Sequence, residues 1–432
     1  MRGNADPSGA RRVLFLQGPL SPLFRLIGDH IRQAGQEVHR INFCAGDWLH
    51  WHGAGCVSYK RQVDAFAGFI DRFLDRHQIT DLVLHGDQRV YHRIAVDAAR
   101  RRGLYIAVTE LGYLRPGWMT LEKNGLSTLS HFPDDPAAIR RIAEAAGEID
   151  FSPRYPSSFW LQTGPDVIYN LTNVFVSLAY PHYQRHTLYP PVMEYLRGGW
   201  RLLRAGARDR TTARQLAALH AKNTRYFVLP MQLEGDFQLR RHSPFESFAN
   251  VIDTVFRSLS EHGEKDLHLV LKSHPLDVGY ENWPQVVDGL AGRYGLDGRV
   301  HYLDGGRLDE ILARAEGVVT LNSTAGLEAL QMGLPVKTLV PAHFDIAGLT
   351  HSGDLGSFWG APHKPDADLL SAYIKAIAAT IQVRGSIHNA DGLPVAAKNI
   401  ADRILNRQLN EPGGFVDPPP RLERARALGV PL

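Results

Sequence analysis

Cysteine is almost missing from this chain: Cys44 and Cys56 are the only two in 432 residues. Two thiols build neither a disulfide framework nor a thiolate metal cluster, and a reducing compartment is the natural setting. A surplus of charge is lacking too. Lys and Arg total 48 against 45 Asp and Glu, a net of +3, so bulk charge implies no nucleic-acid partner. Long apolar runs are also absent. The most apolar stretch, DVIYNLTNVFVSLAYPH from Asp166 to His182, has an uncharged part (167–181) that holds two asparagines and falls short of the ~20 apolar residues needed to span a bilayer. The opening MRGNADPSGARR runs directly into VLFLQ, without an apolar leader or a small-residue cleavage site, so a cytoplasmic location is expected. Neither a Walker lysine loop nor a GxGxxG fingerprint occurs, which leaves a P-loop ATPase or a dinucleotide dehydrogenase unsupported. No Asp-x-Asp pair marks a strand end, and the histidine pairs His50/His52 and His182/His186 lack a third ligand at useful spacing. Neither a metal nor a cofactor is expected.

What is present is a globular composition, 44% hydrophobic and 22% charged, in a chain too long for one core. The first half alternates strand, loop and helix as a helix-covered parallel sheet does. VLFLQ (13–17) and DLVLHGD (81–87) read as buried strands, LFRLIGDHIRQAG and YHRIAVDAARRRG as helices, and LYIAVTE (104–110) as a further strand. From about Thr224 the rhythm restarts with RYFVLPMQ, LHLVLKSHP, RVHYLDGG, GVVTLNS and PVKTLV, separated by helical stretches. After Asp366 the pattern is purely helical, and the tail VDPPPRLERAR reads as loosely held. The predicted architecture is α/β: two Rossmann-like domains facing a cleft, at 1–215 and 216–385, followed by C-terminal helices and tail at 386–432. Ligands of such sheets bind beyond the carboxyl ends of the strands.

The sharpest local signal is LKSHP (271–275), a strand ending in Lys272, Ser273, His274 and Pro275. The proline fixes the turn, while the ammonium and imidazole suit a phosphate, with His274 as a hydrogen-bond donor; a structural turn with a surface lysine is the plain alternative. Next comes LNSTAGLEAL (321–330), where Asn322, Ser323 and Thr324 turn a strand into a helix. Its first N–H groups would hold a phosphate, ordinary N-capping being the commoner explanation. Glu328, one turn in, would reach a ribose hydroxyl. Two carboxylates, Glu110 in VTELGYLRP and Asp236 in PMQLEGDFQLR, sit where strands give way to loops; Glu122 and Glu234 compete with them. Transfer at an anomeric carbon needs one carboxylate to attack or stabilise the cationic centre and an acid/base group for the oxygen that leaves or arrives.

Within the apolar stretch, Val167, Leu171, Val174, Phe175 and Leu178 share one helical face while Asn170, Asn173 and Ser177 share another. Packing against a neighbouring domain is the expected use. Contact with a lipid surface or lipid acceptor, aided by Arg185, Arg197, Arg201 and Arg204, is the alternative.

In order and spacing, LFLQGPLSPLF (14–24), FCAGDWLHW (43–51), HGDQRVYH (85–92), ELGYLRPGWMTLEKNG (110–125), LPMQLEGDFQLR (229–240), LKSHP and NSTAGLEAL together resemble the KpsS/LipB group of capsule polysaccharide biosynthesis proteins, relatives of the KpsC enzymes. The likeness covers most of the chain. It implies a GT-B-like retaining transferase that moves Kdo from CMP-β-Kdo onto a phosphatidylglycerol-type lipid or a Kdo-primed acceptor. The N-terminal domain would take the acceptor and the C-terminal one the CMP-sugar. By that resemblance Asp236 is the nucleophile and Glu110 the acid/base. Lys272, His274, Pro275, Asn322, Ser323, Thr324 and Glu328 would hold the CMP moiety. Gln17, Gly18, Asp87, Arg115 and Gln232 would contact substrate. The second motif departs from the family pattern, with Ala45 ahead of Gly46 and Asp47. Implied partners are the CMP-sugar donor, a lipid or glycolipid acceptor and other capsule proteins, with peripheral contact at the inner face of the cytoplasmic membrane. Two other readings remain: a sialyltransferase-like inverting enzyme, and a non-catalytic nucleotide- or glycan-binding component of capsule export.

Overall fold

The fold was obtained as a computed structural model, which describes residues 9–185 and 187–432. In chain order the strands are β1 (Arg12–Phe15), β2 (Glu37–Asn42), β3 (Cys56–Ser58), β4 (Asp81–His85), β5 (Tyr105–Leu111), β6 (Trp118–Lys123), β7 (Arg225–Pro230), β8 (Leu267–Lys272), β9 (Val300–Leu303), β10 (Gly317–Thr320), β11 (Val336–Thr338) and β12 (Gln382–Arg384). They form two sheets, β12-β6-β5-β4-β1-β2-β3 and β11-β10-β7-β8-β9.

The chain divides into two compact units. The first holds residues 9–133, 141–185 and 374–420, and the second 134–140, 187–373 and 421–432. Both sheets are Rossmann-like: the first-formed strand (β1 or β7) is central, the next two pair outward on one side, and the fourth returns to its other flank.

Burial on both faces explains the strand sequences. Alternate residues of a strand point to opposite faces, so Val13 and Phe15 enter one core while Leu14 and Leu16 enter the other. A helix-covered parallel strand must therefore be apolar throughout. Val13 and Phe15 pack with Ile27 and Ile31 of helix Leu23–Gln33 and with Ala396, Ala397, Ile400 and Ile404 of helix Gly392–Leu405. Leu14 and Leu16 pack with Phe66 and Ile70 of helix Phe66–Arg76. In the second unit Phe227 and Leu229 of β7 pack with Val251, Val255 and Phe256 of helix Phe248–His262.

Four expectations need correction. The first sheet is mixed, because β6 runs antiparallel to both β5 and β12. The segment after Asp366 is not purely helical: Gln382–Arg384 forms the edge strand of the first sheet. Residues 386–420 are accordingly part of the first unit, since helix Gly392–Leu405 covers its sheet, and the change between units falls near residue 186 rather than 215. The β6–β12 pairing joins residues distant in sequence, which local periodicity does not report. Finally, the tail is tied down. Arg421 is fully buried and donates from Nε to Ala342 O at 2.9 Å and from Nη2 to His343 O at 2.7 Å. Among the described residues no helix is long and apolar enough to cross a membrane.

Arg421→Ala would strip two buried carbonyls of charged donors. Chemical denaturation is expected to show the second unit destabilised by about 3 kcal/mol, whereas Arg426→Ala, on the exposed side of the same short helix, stays within about 0.5 kcal/mol.

Candidate functional site

In the second unit the strand order reverses beside β7, and the loops leaving β7, β8, β9 and β10 share one end of the sheet. Side chains from β7 and β10 meet across that reversal. Gln232 Nε2 donates to Asn322 Oδ1 at 3.2 Å, and Asn322 Nδ2 donates to the Gln238 carbonyl at 3.2 Å. Both residues are buried, and Gln232 Oε1 has no hydrogen-bond partner among the described residues. A buried acceptor left without a donor costs free energy unless a ligand supplies one.

Asp236 is half-buried and caps the short helix Phe237–Arg240, its Oδ1 accepting from Gln238 N at 2.9 Å. The cap holds the carboxylate in place. On the neighbouring strand, Lys272 is buried and paired in register with Pro230. Burial pushes its pKa down while Asp304 opposes the shift, and its Nζ donates to Ser273 O at 2.7 Å. His274 sits in the following turn, where Nδ1 accepts from Leu276 N at 3.1 Å. That bond leaves the ring proton on Nε2. Pro275 is exposed in the same turn.

Sequence reasoning missed the groups behind Lys272. Asp304, at the end of β9, gathers Arg201 Nη2 at 2.5 Å, Arg208 Nη1 at 3.1 Å and Ser273 Oγ at 3.2 Å. Asp304 could have been found by the strand-end rule. The two arginines lie on helices Pro191–Leu203 and Ala205–Ala221 and carry no such mark. Their buried Nε groups have no acceptor among the described residues. Three cations thus face two carboxylates, Asp304 and Asp209, a local surplus that favours an anion. Arg201, which the lipid-contact alternative enlisted, pairs with Asp304 instead.

The serine/threonine turn does ordinary work. Ser323 Oγ accepts from Ala325 N at 3.2 Å, and Thr324 occupies the N-cap position of a seven-residue helix without a side-chain bond. Glu328 is exposed on that helix. The competitor Glu234 is occupied by Phe248 N at 2.8 Å.

In the first unit the corresponding reversal lies between β1 and β4. Gln17 follows β1 but is buried, with Nε2 2.7 Å from the Tyr169 hydroxyl and 3.2 Å from both Asp47 oxygens. It belongs to an internal network. Gly18 accepts from Arg89 Nη1 at 3.2 Å. Asp87 is buried and accepts from Leu126 N at 3.1 Å, and burial raises its pKa to about 6. Arg115 is exposed and donates from Nε to Gly112 O at 3.1 Å. Glu122 is fully buried, held by Ser130 Oγ and by the Tyr113 hydroxyl at 3.4 Å, which removes it as a competitor.

Glu110 lies in β5 with its side chain about 40% exposed, and Oε1 stands 3.5 Å from His85 Nε2. Thr109 Oγ1 donates to Leu84 O at 3.3 Å and therefore accepts from His85 Nδ1 at 3.0 Å. The Nε2 lone pair is thus aimed at Glu110, ready to receive a proton carried by its carboxyl. Gly86, which follows His85, has φ +67°, a conformation that favours glycine. Sequence reasoning did not single out His85 or Thr109. Of the histidine pairs, His186 lies outside the described residues, and no group of three or more potential ligands that could hold a metal ion occurs among the described ones.

His85 and Asp87 oppose each other in pH. Burial, reinforced by Arg89 and His388 against the pull of Glu110, lowers His85 from 6.5 to about 4. A depressed histidine stabilises the fold above the unfolded pKa, and this is lost as pH falls from 6.5 through 4. Asp87, raised to about 6 despite Leu126 N and Arg100, stabilises below pH ~4 and loses this as pH rises through 6. Denaturation at pH 4, 5, 6 and 7 is expected to show that Asp87→Asn makes stability climb more steeply with pH than wild type and that His85→Gln makes it climb less. Each slope changes by up to about 1.4 kcal/mol per pH unit.

Comparison with known proteins places this geometry in context. The chain is 29% identical over 378 residues to the capsule polysaccharide export protein KpsS of Escherichia coli, covering 86% of this chain and 96% of that one. It is 31% identical over 403 residues to the capsule polysaccharide modification protein LipB of Neisseria meningitidis serogroup A, covering 91% and 95%. Among solved structures, the KpsC β-Kdo 2,7 transferase of Thermosulfurimonas dismutans matches with a TM-score of 0.45 at 14% identity, covering 92% of this chain and 99% of that one. The family profile "Capsule polysaccharide biosynthesis protein" matches residues 80–388, and with most of both units inside that match the chain belongs to the capsule polysaccharide biosynthesis family.

Proposed function

We propose that the protein is a retaining β-Kdo transferase that moves Kdo from CMP-β-Kdo to a phosphatidylglycerol-type lipid or a Kdo-primed acceptor. It would act peripherally at the inner face of the cytoplasmic membrane, beside other capsule proteins. One observation carries the reading: β10, β7 and β8 of the second unit are neighbours in the sheet and end at the same side, and the segments leaving them carry a held carboxylate (Asp236), a buried ammonium (Lys272), an Nε2–H donor (His274) and the Gln232/Asn322 amide pair. CMP-Kdo carries a phosphate and a carboxylate, so a local surplus of cations at these strand ends is its complement.

In this scheme an Asp236 oxygen bonds to the anomeric carbon as the carbon–oxygen bond to phosphate breaks. CMP departs with the electron pair, its phosphate received by Lys272 and His274, while Gln232 and Asn322 orient the nucleotide. The acceptor hydroxyl then attacks the same carbon, the bond to Asp236 breaks, and the hydroxyl proton passes to a base, the role that the family resemblance assigns to Glu110. Two displacements retain configuration. His85 supports Glu110 by receiving the captured proton in a hydrogen bond.

The test is incubation of the full chain with freshly made CMP-Kdo and an acceptor panel, read by mass spectrometry and product NMR. Wild type is expected to release CMP and give a β-linked product. Asp236→Ala should lower turnover at least about 10³-fold with CMP binding retained, and Lys272→Ala should weaken CMP binding about tenfold. An inverted product would take the nucleophile role from Asp236. The name of the E. coli relative, an export protein, favours a second reading, a non-catalytic export component, which CMP binding without turnover on any acceptor would support.

A further inference from the structure

Helix Phe159–Phe175 of the first unit is mounted inside out. Its Tyr169 and Asn173 are buried: the Tyr169 hydroxyl donates to Asp47 Oδ1 at 3.0 Å, and Asn173 Oδ1 accepts from Gly46 N at 2.7 Å. Gly46 must be glycine, since a Cβ there would lie 2.4 Å from the Tyr169 ring. The opposite stripe faces water. Trp160, Ile168, Phe175 and, in the following turn, Leu178 recur at helical spacing and are 78%, 57%, 80% and 94% exposed. Of the face expected to pack against a neighbour, Val167, Leu171 and Val174 are half-buried while Phe175 and Leu178 are bare.

Cations stand beside the bare end. Tyr180 closes the turn after Leu178, its hydroxyl bonded to Ser58 Oγ at 2.8 Å, and Lys60 Nζ lies 5.2 Å from its ring centre. Lys60, Arg61, Arg72 and Arg76 line a cavity of about 800 Å³ with Phe69 and Phe73 among its walls. None of the four has a carboxylate partner among the described residues. Asp75, the acid on that rim, is taken by Arg102 at 2.8 and 3.0 Å.

We infer that the first unit docks on an anionic phospholipid bilayer, with Phe175, Leu178 and Trp160 entering the acyl boundary and the Lys60–Arg61–Arg72–Arg76 cluster meeting headgroup phosphates. Bare apolar side chains next to unpaired cations are the signature of an interfacial helix, and an aromatic such as Trp160 suits the headgroup level. A twofold contact between copies through this face would oppose four cations to four cations, which disfavours self-association as its purpose. The second unit separately carries a stripe of the same make, Met193, Leu196, Trp200 and Leu203, with Arg204 stacked 4.3 Å over Trp200.

This inference rests on the peripheral placement proposed above and specifies its surface; its readout is vesicle binding, which needs no turnover, so it and the transferase reading fail separately. The full chain is floated with vesicles of phosphatidylcholine alone or with one part in three phosphatidylglycerol. Binding to the anionic vesicles is expected to be at least about tenfold tighter and to weaken as salt rises. Phe175→Glu with Leu178→Glu, and separately Lys60→Ala with Arg61→Ala, should each lower it about tenfold or more. These residues are exposed, so thermal unfolding and CMP binding serve as controls for the fold. Equal binding to both vesicle types, or a Phe175→Glu/Leu178→Glu protein that binds like wild type, overturns the inference, as does loss of a dimer in that variant with vesicle binding unchanged.

Discussion

A strand buried on both faces keeps a polar side chain along its length only where a partner satisfies it internally, so the chemistry it can offer a ligand is pushed to its ends. That constraint organises both units. β7 is apolar from Phe227 through Leu229 and then releases Gln232 and Asp236; β8 is apolar from Leu269 through Leu271 and then releases Lys272 and His274; β10 is apolar at Val318 and Val319 ahead of Asn322. The strand order reverses beside β7, and Gln232 and Asn322 meet at that reversal. The candidate site is thus what remains when a helix-covered sheet has hidden everything it can.

The low dielectric around those ends explains the electrostatics. Lys272 is under-stabilised as a cation by burial, Arg201 and Arg208 keep unspent Nε donors, and Asp304 offsets only part of the positive charge. A ligand phosphate would satisfy several groups at once. In the first unit the same burial keeps His85 neutral and Asp87 hard to ionise. The larger buried network of Gln17, Asp47, Arg40 and Tyr169 is closed on itself, so it positions backbone and helix rather than facing solvent.

Much of the fold could be read from periodicity, because VLFL, FVLP and LHLVLK announce strands buried on both faces and the intervening helices are amphipathic. The strand-end loops followed, and with them Lys272, His274, Asn322 and Asp236. What could not be read were relations between distant segments. Gln382–Arg384 is too short and mixed to stand out as a strand, and only pairing with β6 makes it one. Arg201 and Arg208 have no local signature; their meaning is Asp304, about a hundred residues away. The amphipathic helix was read correctly as two-faced, but which face turns inward was decided by Asp47, which accepts from its tyrosine, and by Gly46, whose N–H donates to its asparagine.

The division of the first unit between the two ends of the chain has a temporal side. Its sheet begins at Arg12, yet the strand that covers the β6 edge and the helix that seals one face arrive only with residues 382–405. During synthesis at ~5–20 residues per second, the amino-terminal half waits on the order of tens of seconds with one apolar face uncovered while the second unit emerges. The unit begun first on the ribosome is therefore completed last, and nascent-chain chaperones have their longest opportunity on the side that helix Gly392–Leu405 will close.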